Sequence, residues 1–157
     1  MTRTLILMRH AKSSWTIPGC PDHDRPLNTR GRRSTALLGP WMRQTGWAPD
    51  EVLCSTATRT QETLQGLQLN APVSLLRDLY HADRHTMGQI LANGKGACIL
   101  MIAHNPGIAE FARNLVRNPP DHPRFYDYPT GATLVVRPDT GDVLDFVVPR
   151  DLMEKAG

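Results

Sequence analysis

Four residues of this chain have side chains that could bind and transfer an anionic group: Arg9 and His10 in LILMRHAKSSW, Arg59 in STATRTQET and His104 in AHNPG. Two guanidiniums offer planar forks of N–H donors matched to phosphate oxygens, and neither gives up its charge at working pH. A neutral imidazole is a nucleophile toward phosphorus, and neighbouring cations keep it unprotonated near pH 7, which suits His10. His104 can donate to the equatorial oxygens of the transferring group, helped by backbone N–H groups at the following helix start. The chemistry this set predicts is phosphoryl transfer to His10 and then to water. Each fragment alone has a plainer reading: a solvated pair at a strand end, an arginine paired with Glu62, a turn at Asn-Pro-Gly. Joint placement after separate strands is what would make them a site.

The elements that must do this placing alternate along the chain. Leu5 to Met8 reads as a short buried strand, and Pro18 to Asn28, rich in Pro, Gly and Asp, as a long loop. Leu37, Leu38 and Trp41 recur at helical spacing within Gly31 to Thr45, behind the caps Asn28 and Thr29. Glu51 to Cys54 is a second strand, Thr58 to Leu67 a second helix, Val73 to Leu75 a weak third strand, and Arg84 to Asn93 a helix closed by Gly94. ACILMIA, from Ala97 to Ala103, has no polar side chain to turn toward water and predicts the central strand. A helix from Pro106 to Val116 and two closing strands, Thr133 to Val136 and Val143 to Val148, complete the chain. The alternation predicts an α/β three-layer sandwich, a mostly parallel central sheet flanked by helices, whose ligands gather at the carboxyl ends of the strands. Arg9 and His10, Ser55 and later Arg59, and His104 and Asn105 all follow such ends.

Composition narrows the class. A length of 157 residues predicts one domain, residues 1–157, large enough for a core without disulfides or structural metal. The net charge of +3 suits an anionic ligand but lacks the dense basic stripe of a nucleic-acid binder. Cys20, Cys54 and Cys98 are odd in number and scattered, which predicts a reduced, cytoplasmic setting. No run approaches the roughly eighteen apolar residues of a membrane span, so no membrane partner is expected.

LILMRHAKSSW, DHDRPLNTRGRR, STATRTQET, LYHAD, AHNPG, YPTGA and VPRDL occur in an order that resembles the histidine phosphatase superfamily, the phosphoglycerate mutase-like group, and within it the short SixA-like phosphohistidine phosphatases. The resemblance implies a phosphoglycerate mutase-like fold. It also implies a phosphate pocket of Arg9, His10, Arg59 and His104 with transient phosphorylation of His10, and no metal or other cofactor. Ser13, Thr16 and Asn105 are the accompanying candidates for substrate binding. The chain departs from the family pattern at Ala11, where glycine is usual, at Ser55-Thr56 in place of Ser-Pro, and at Thr16 in place of the asparagine of many mutase-like members. Mutase-like members carry a glutamate well before the second histidine, and Asp78 is the nearest candidate for that general acid.

The short interval from Arg59 to His104 leaves no place for a lid over a small phosphosugar, so an open pocket is expected. This favours a phosphorylated protein substrate, such as a histidine-phosphorylated signalling or phosphotransfer protein. Phosphatase action on small phosphorylated metabolites, and a non-catalytic phosphate-binding module, are the alternatives. Three further motifs have rival readings. A cysteine phosphatase would need a longer loop between thiolate and arginine than CSTATR provides, so Cys54 is expected as a buried apolar residue. His81 and His85 lie four apart but lack a third metal ligand. Arg30 to Arg33 is a short solvated run without interleaved aromatics.

Overall fold

The computed structural model describes residues 3–156. Strand β1 (Thr4–Arg9) alternates its apolar side chains between two cores: Leu5 and Leu7 enter one, Ile6 and Met8 the other, and all four are fully buried. A strand buried on both faces needs helices on both sides, and the rest of the chain supplies them. Helices α1 (Thr29–Thr45), α2 (Thr58–Leu67) and α5 (Pro149–Ala156) cover the Ile6 face. Helices α3 (Arg84–Asn93) and α4 (Gly107–Leu115) cover the Leu5 face. With β2 (Glu51–Ser55), β3 (Val73–Leu76), β4 (Cys98–Ala103), β5 (Thr133–Arg137) and β6 (Asp142–Val147), β1 forms one six-stranded sheet in the order β3-β2-β4-β1-β5-β6. The four strands from β3 to β1 are parallel, while β5 and β6 close the sheet antiparallel. The mixed α/β sandwich read from the sequence is the fold observed, with β4 in the middle of the parallel part.

Local signals fix the helix ends. The Asn28 side chain accepts the Gly31 N–H at 2.8 Å to open α1, and Gly46, at φ 82°, closes it in the left-handed conformation that glycine adopts without penalty. The Asp83 side chain accepts the Thr86 N–H at 2.9 Å to open α3. Three features differ from the expectation. The loop from 18 to 28 contains a 3-10 turn at Asp22–Asp24 and is pinned by a bridge between Ser13 and Leu27. A second 3-10 turn, Arg77–Leu79, follows β3. The C-terminal segment forms α5, whose opening proline at Pro149 is a helix-start signal.

Register decides what the sheet presents at its carboxyl edge. Arg9 lies opposite Ala103 on β4, and Cys54 of β2 lies opposite Ile102. The residues that follow, His10, His104 and the Ser55–Thr56 pair, therefore leave three neighbouring strands at one level.

Candidate active site

His10 and His104 stand side by side at this edge, ring centroids 5.2 Å apart, and are 5% and 2% exposed. The backbone around His10 is tied down on three sides. Its N–H donates to the Ala103 carbonyl at 3.2 Å, its carbonyl accepts the Gly131 N–H at 2.9 Å, and the next N–H, of Ala11, donates to Thr63 Oγ1 at 3.0 Å. The His10 ring places Nδ1 2.8 Å from the Ala11 carbonyl oxygen. A carbonyl only accepts, so Nδ1 carries the proton and Nε2 keeps a lone pair. Burial pushes the His10 pKa down to about 3, with Arg9, Arg59 and Arg25 adding to the effect and the Ala11 hydrogen bond opposing it. The imidazole is thus neutral and its Nε2 nucleophilic across the physiological range.

His104 is oriented through Ser55. Ser55 Oγ accepts the Ala57 N–H at 3.3 Å and lies 2.8 Å from His104 Nε2, so its own hydroxyl proton is available to Nε2. The proton of neutral His104 then sits on Nδ1, which is buried without a partner among the described residues. Burial, followed by the charges of His10, Arg59 and His81, lowers the His104 pKa to about 2.

The arginines complete the set. Arg9 Nη1 donates to the Tyr128 carbonyl at 3.2 Å, and Arg59, 3% exposed in the first turn of α2, grips Asp22 through its carbonyl at 2.7 Å and Oδ2 at 3.1 Å. The Nε atoms of both guanidiniums are buried without partners among the described residues. Burial and the neighbouring Arg59 charge lower the Arg9 pKa, and the Asp127 carboxylate opposes them. Arg9 Nε, Arg59 Nε and His104 Nδ1 are all donors, and a buried donor left unsatisfied costs roughly 1–3 kcal/mol.

The other expected residues divide. Asn105 borders the pocket: its Nδ2 donates to the Asp127 and Tyr128 carbonyls at 3.0 and 3.1 Å, and its Oδ1 is buried without a partner among the described residues. Ser13 is a buried support whose hydroxyl receives Arg25 Nη1 at 2.6 Å. Thr16 is exposed and is hydrogen-bonded to Ser14. Asp78 is exposed in the second 3-10 turn and makes no hydrogen bond to the pocket residues. Cys54 is fully buried, and burial raises its thiol pKa to about 12, in line with an apolar role. His81 and His85 part company: His81 comes to the pocket mouth, His85 to a groove with Glu110. Among the described residues no group of three His, Cys, Asp or Glu side chains is arranged to hold a metal ion.

The sequence reading missed the carboxylate that does enter the site. Asp22 accepts Tyr80 Oη at 2.6 Å, Arg25 Nε at 3.1 Å and Arg59 Nη2 at 3.1 Å, and approaches His81 Nε2 at 3.5 Å. Burial works against its charge, but the hydrogen bonds from Tyr80, Arg25 and Arg59 outweigh that and hold the carboxyl well below the usual range. The available signal was the polar cluster DHDR within a loop otherwise made of turn residues.

Residues 5–87 match the family model described as Histidine phosphatase superfamily (branch 1). An uncharacterised protein of Mycobacterium tuberculosis strain H37Rv is 39% identical over 107 residues, 67% of each chain. Two solved structures assigned as phosphohistidine phosphatase SixA are similar throughout. The one from Agrobacterium tumefaciens has a TM-score of 0.83 at 23% identity, covering 95% of this chain and 99% of its own. The one from Nakamurella multipartitia has a TM-score of 0.78 at 28% identity, covering 95% and 97%.

Proposed function

Because this chain belongs to the histidine phosphatase superfamily, we propose that it hydrolyses phosphohistidine in a protein through a covalent phosphoryl intermediate on His10. The observation that carries the reading is the pair of buried rings of His10 and His104, 5.2 Å apart, with Nε2 of His10 left unprotonated and Arg9 and Arg59 near enough to lower its pKa. In the first step the His10 Nε2 lone pair forms the N–P bond as the bond to the leaving group breaks. In the second, water attacks phosphorus and the electron pair returns to Nε2. The arginines bind the equatorial oxygens throughout, and His104 supplies a hydrogen bond that shortens as negative charge shifts onto them. Residues 3–156 act as one catalytic domain, since every strand belongs to a single sheet.

A protein substrate is supported by the surroundings of the pocket. Arg9 also lines a groove of about 630 Å³ whose rim carries Lys12, Arg30, Arg124 and Arg150 against only Asp127 and Glu154. Its floor includes Pro129, Val148 and Pro149, so the face is both cationic and partly apolar, as a protein partner with an acidic surface would require. A nitrogen leaving group on a high-energy P–N bond also asks little of a strong acid. The three cysteines are free, which fits a reducing compartment, and we assign the reaction to the cytoplasm. Among the described residues no helix is long and apolar enough to cross a membrane. The reaction needs no metal or other cofactor in this reading, and activity is expected to survive EDTA.

The test is the intermediate. Rapid quenching during turnover of ³²P-labelled phosphohistidine protein should trap base-stable, acid-labile label on the peptide holding His10. His10→Ala should remove both the label and turnover, and His104→Ala should slow labelling without moving it. Label on Cys54, or turnover by folded His10→Ala close to wild type, would refute the mechanism. Higher kcat/KM on small phosphate monoesters than on phosphohistidine protein would leave the mechanism and replace the substrate.

A further inference from the structure

Proton transfer at the leaving group is left unassigned by the four pocket residues, and the pocket mouth contains a group suited to it. His81 adopts φ 58°, a left-handed conformation that a residue with a β-carbon seldom takes. The local fold holds this strained backbone, and the consequence is an imidazole turned back over the site. Its ring packs on Tyr80 at 4.0 Å, its centroid lies 5.9 Å from that of His104, and its Nε2 stands 3.5 Å from Asp22 Oδ2. Strain retained in a functional cleft is an observation that invites a role.

The neighbours narrow the choice of proton donor. Asp22 accepts hydrogen bonds from Arg59, Arg25 and Tyr80 and is held ionised, so it has no proton to give. The Tyr80 hydroxyl is committed to Asp22, and burial with that carboxylate raises its pKa. His23 has both ring nitrogens engaged, Nε2 with Thr56 Oγ1 at 2.9 Å and Nδ1 with Asp24 at 3.5 Å. Asp78 is exposed outside the network. His81 differs from all of these. One nitrogen faces a carboxylate, the other has no protein partner among the described residues, and the side chain is 58% exposed, so it can exchange protons with water. A carboxylate that orients one imidazole nitrogen and leaves the other for transfer is the arrangement that acid–base catalysis by histidine uses.

We propose that His81, oriented by Asp22, is the acid and base of the reaction, an inference that rests on phosphoryl transfer to His10. As the N–P bond to His10 Nε2 forms, the bond from phosphorus to the leaving atom breaks and its electron pair stays with that atom. The leaving atom departs opposite buried His10, toward the open mouth, where it takes the proton from Nδ1 of His81 imidazolium. Neutral His81 then accepts a proton from the attacking water as the P–N bond breaks, which restores the imidazolium and returns the electron pair to His10.

The experiment compares esters that differ in their need for that proton. Wild type, His81→Asn and His81→Gly are assayed on p-nitrophenyl phosphate, whose phenolate departs unaided, and on phenyl phosphate, whose phenolate does not. Both replacements tolerate a positive φ, so thermal midpoints should equal or exceed wild type. The ratio of kcat/KM for p-nitrophenyl over phenyl phosphate should rise about thirtyfold or more in both variants, within the usual contribution of a general acid. Added imidazole should restore part of the phenyl phosphate rate of His81→Gly. A ratio within about threefold of wild type, whatever the absolute loss, overturns the inference and leaves the His10 reaction standing. A wild type that neither cleaves the esters nor labels His10 removes the underlying phosphatase reading as well, and the label distinguishes the two failures.

Discussion

At the scale of single residues, the site is organised around keeping two histidines neutral. Their folded pKa values lie below the ordinary value of 6.5, at about 3 for His10 and about 2 for His104, with burial as the leading cause. Between pH 6.5 and these values the unfolded chain binds more protons than the folded one, so stability falls as pH falls through that window. Each histidine contributes a slope of up to about 1.4 kcal/mol per pH unit. The depressed carboxyl of Asp22 adds to the loss only below about pH 4, where an unfolded carboxyl protonates. Urea midpoints measured from pH 7 to 4.5 should therefore decline for wild type and decline distinctly less for His10→Gln. Parallel curves for the two proteins would show that His10 keeps an ordinary pKa in the folded state, and with it the case for a nucleophile held neutral by burial would go. Added phosphate should flatten the wild-type decline, because a bound anion raises both histidine pKa values.

At the scale of elements, two glycines let backbone segments approach closely enough to bring the site together. A β-carbon on Gly107, at the start of α4, would lie 1.9 Å from the Ala82 carbonyl oxygen, and one on Gly31, in α1, would lie 2.1 Å from that of Lys12. Both obstacles are backbone atoms, which cannot step aside as a side-chain tip can. Gly107→Ala should cost about 1–3 kcal/mol, read from the urea midpoint, and should lower activity further because Ala82 follows His81 in the loop it displaces. An unchanged midpoint with unchanged activity would mean that the loop yields freely. The elements themselves were legible where the sequence signal was local. ACILMIA could only be a strand buried on both faces, and the predicted bounds of α2 and α3 match those observed. The four pocket residues could be read because Arg9 ends a strand, His10 and His104 follow strands directly, and Arg59 lies in the first turn of the helix after one. Asp22, Tyr80 and His81 could not, since Asp22 reaches Arg59 and Tyr80 across 37 and 58 positions of chain. Nothing local marks such pairings; they arise when the 18–28 loop folds over the mouth. Helix α5 was missed for a different reason, its short length after a strand, although Pro149 announced it.

At the scale of the whole molecule, a net charge of +3 conveys little, because what matters for a substrate is where the cations lie. Within the groove that runs from Arg9, Arg124 is paired with Asp127 at 2.8 Å, whereas Lys12, Arg30 and Arg150 have no carboxylate partner among the described residues. These three exposed cations would act on an approaching partner through solvent, and salt screens such interactions over a Debye length of roughly 10 Å at 0.1 M. In the proposed reaction Arg9 and Arg59 would touch the phosphoryl group directly, and such contacts are screened far less. A small ester meets only the pocket, while a phosphoprotein with an acidic surface meets pocket and groove together. Raising ionic strength from about 0.05 to 0.5 M should accordingly lower kcat/KM for phosphohistidine protein by about tenfold or more, and for p-nitrophenyl phosphate by much less. Reversing groove charge with Lys12→Glu and Arg150→Glu should reproduce the loss at low salt on the protein substrate. At high salt the double variant and wild type should converge, because the steering removed by mutation has already been screened. Equal salt sensitivity of the two substrates in wild type would mean that the groove takes no part in recognition, and a small phosphorylated molecule would become the better substrate for this pocket.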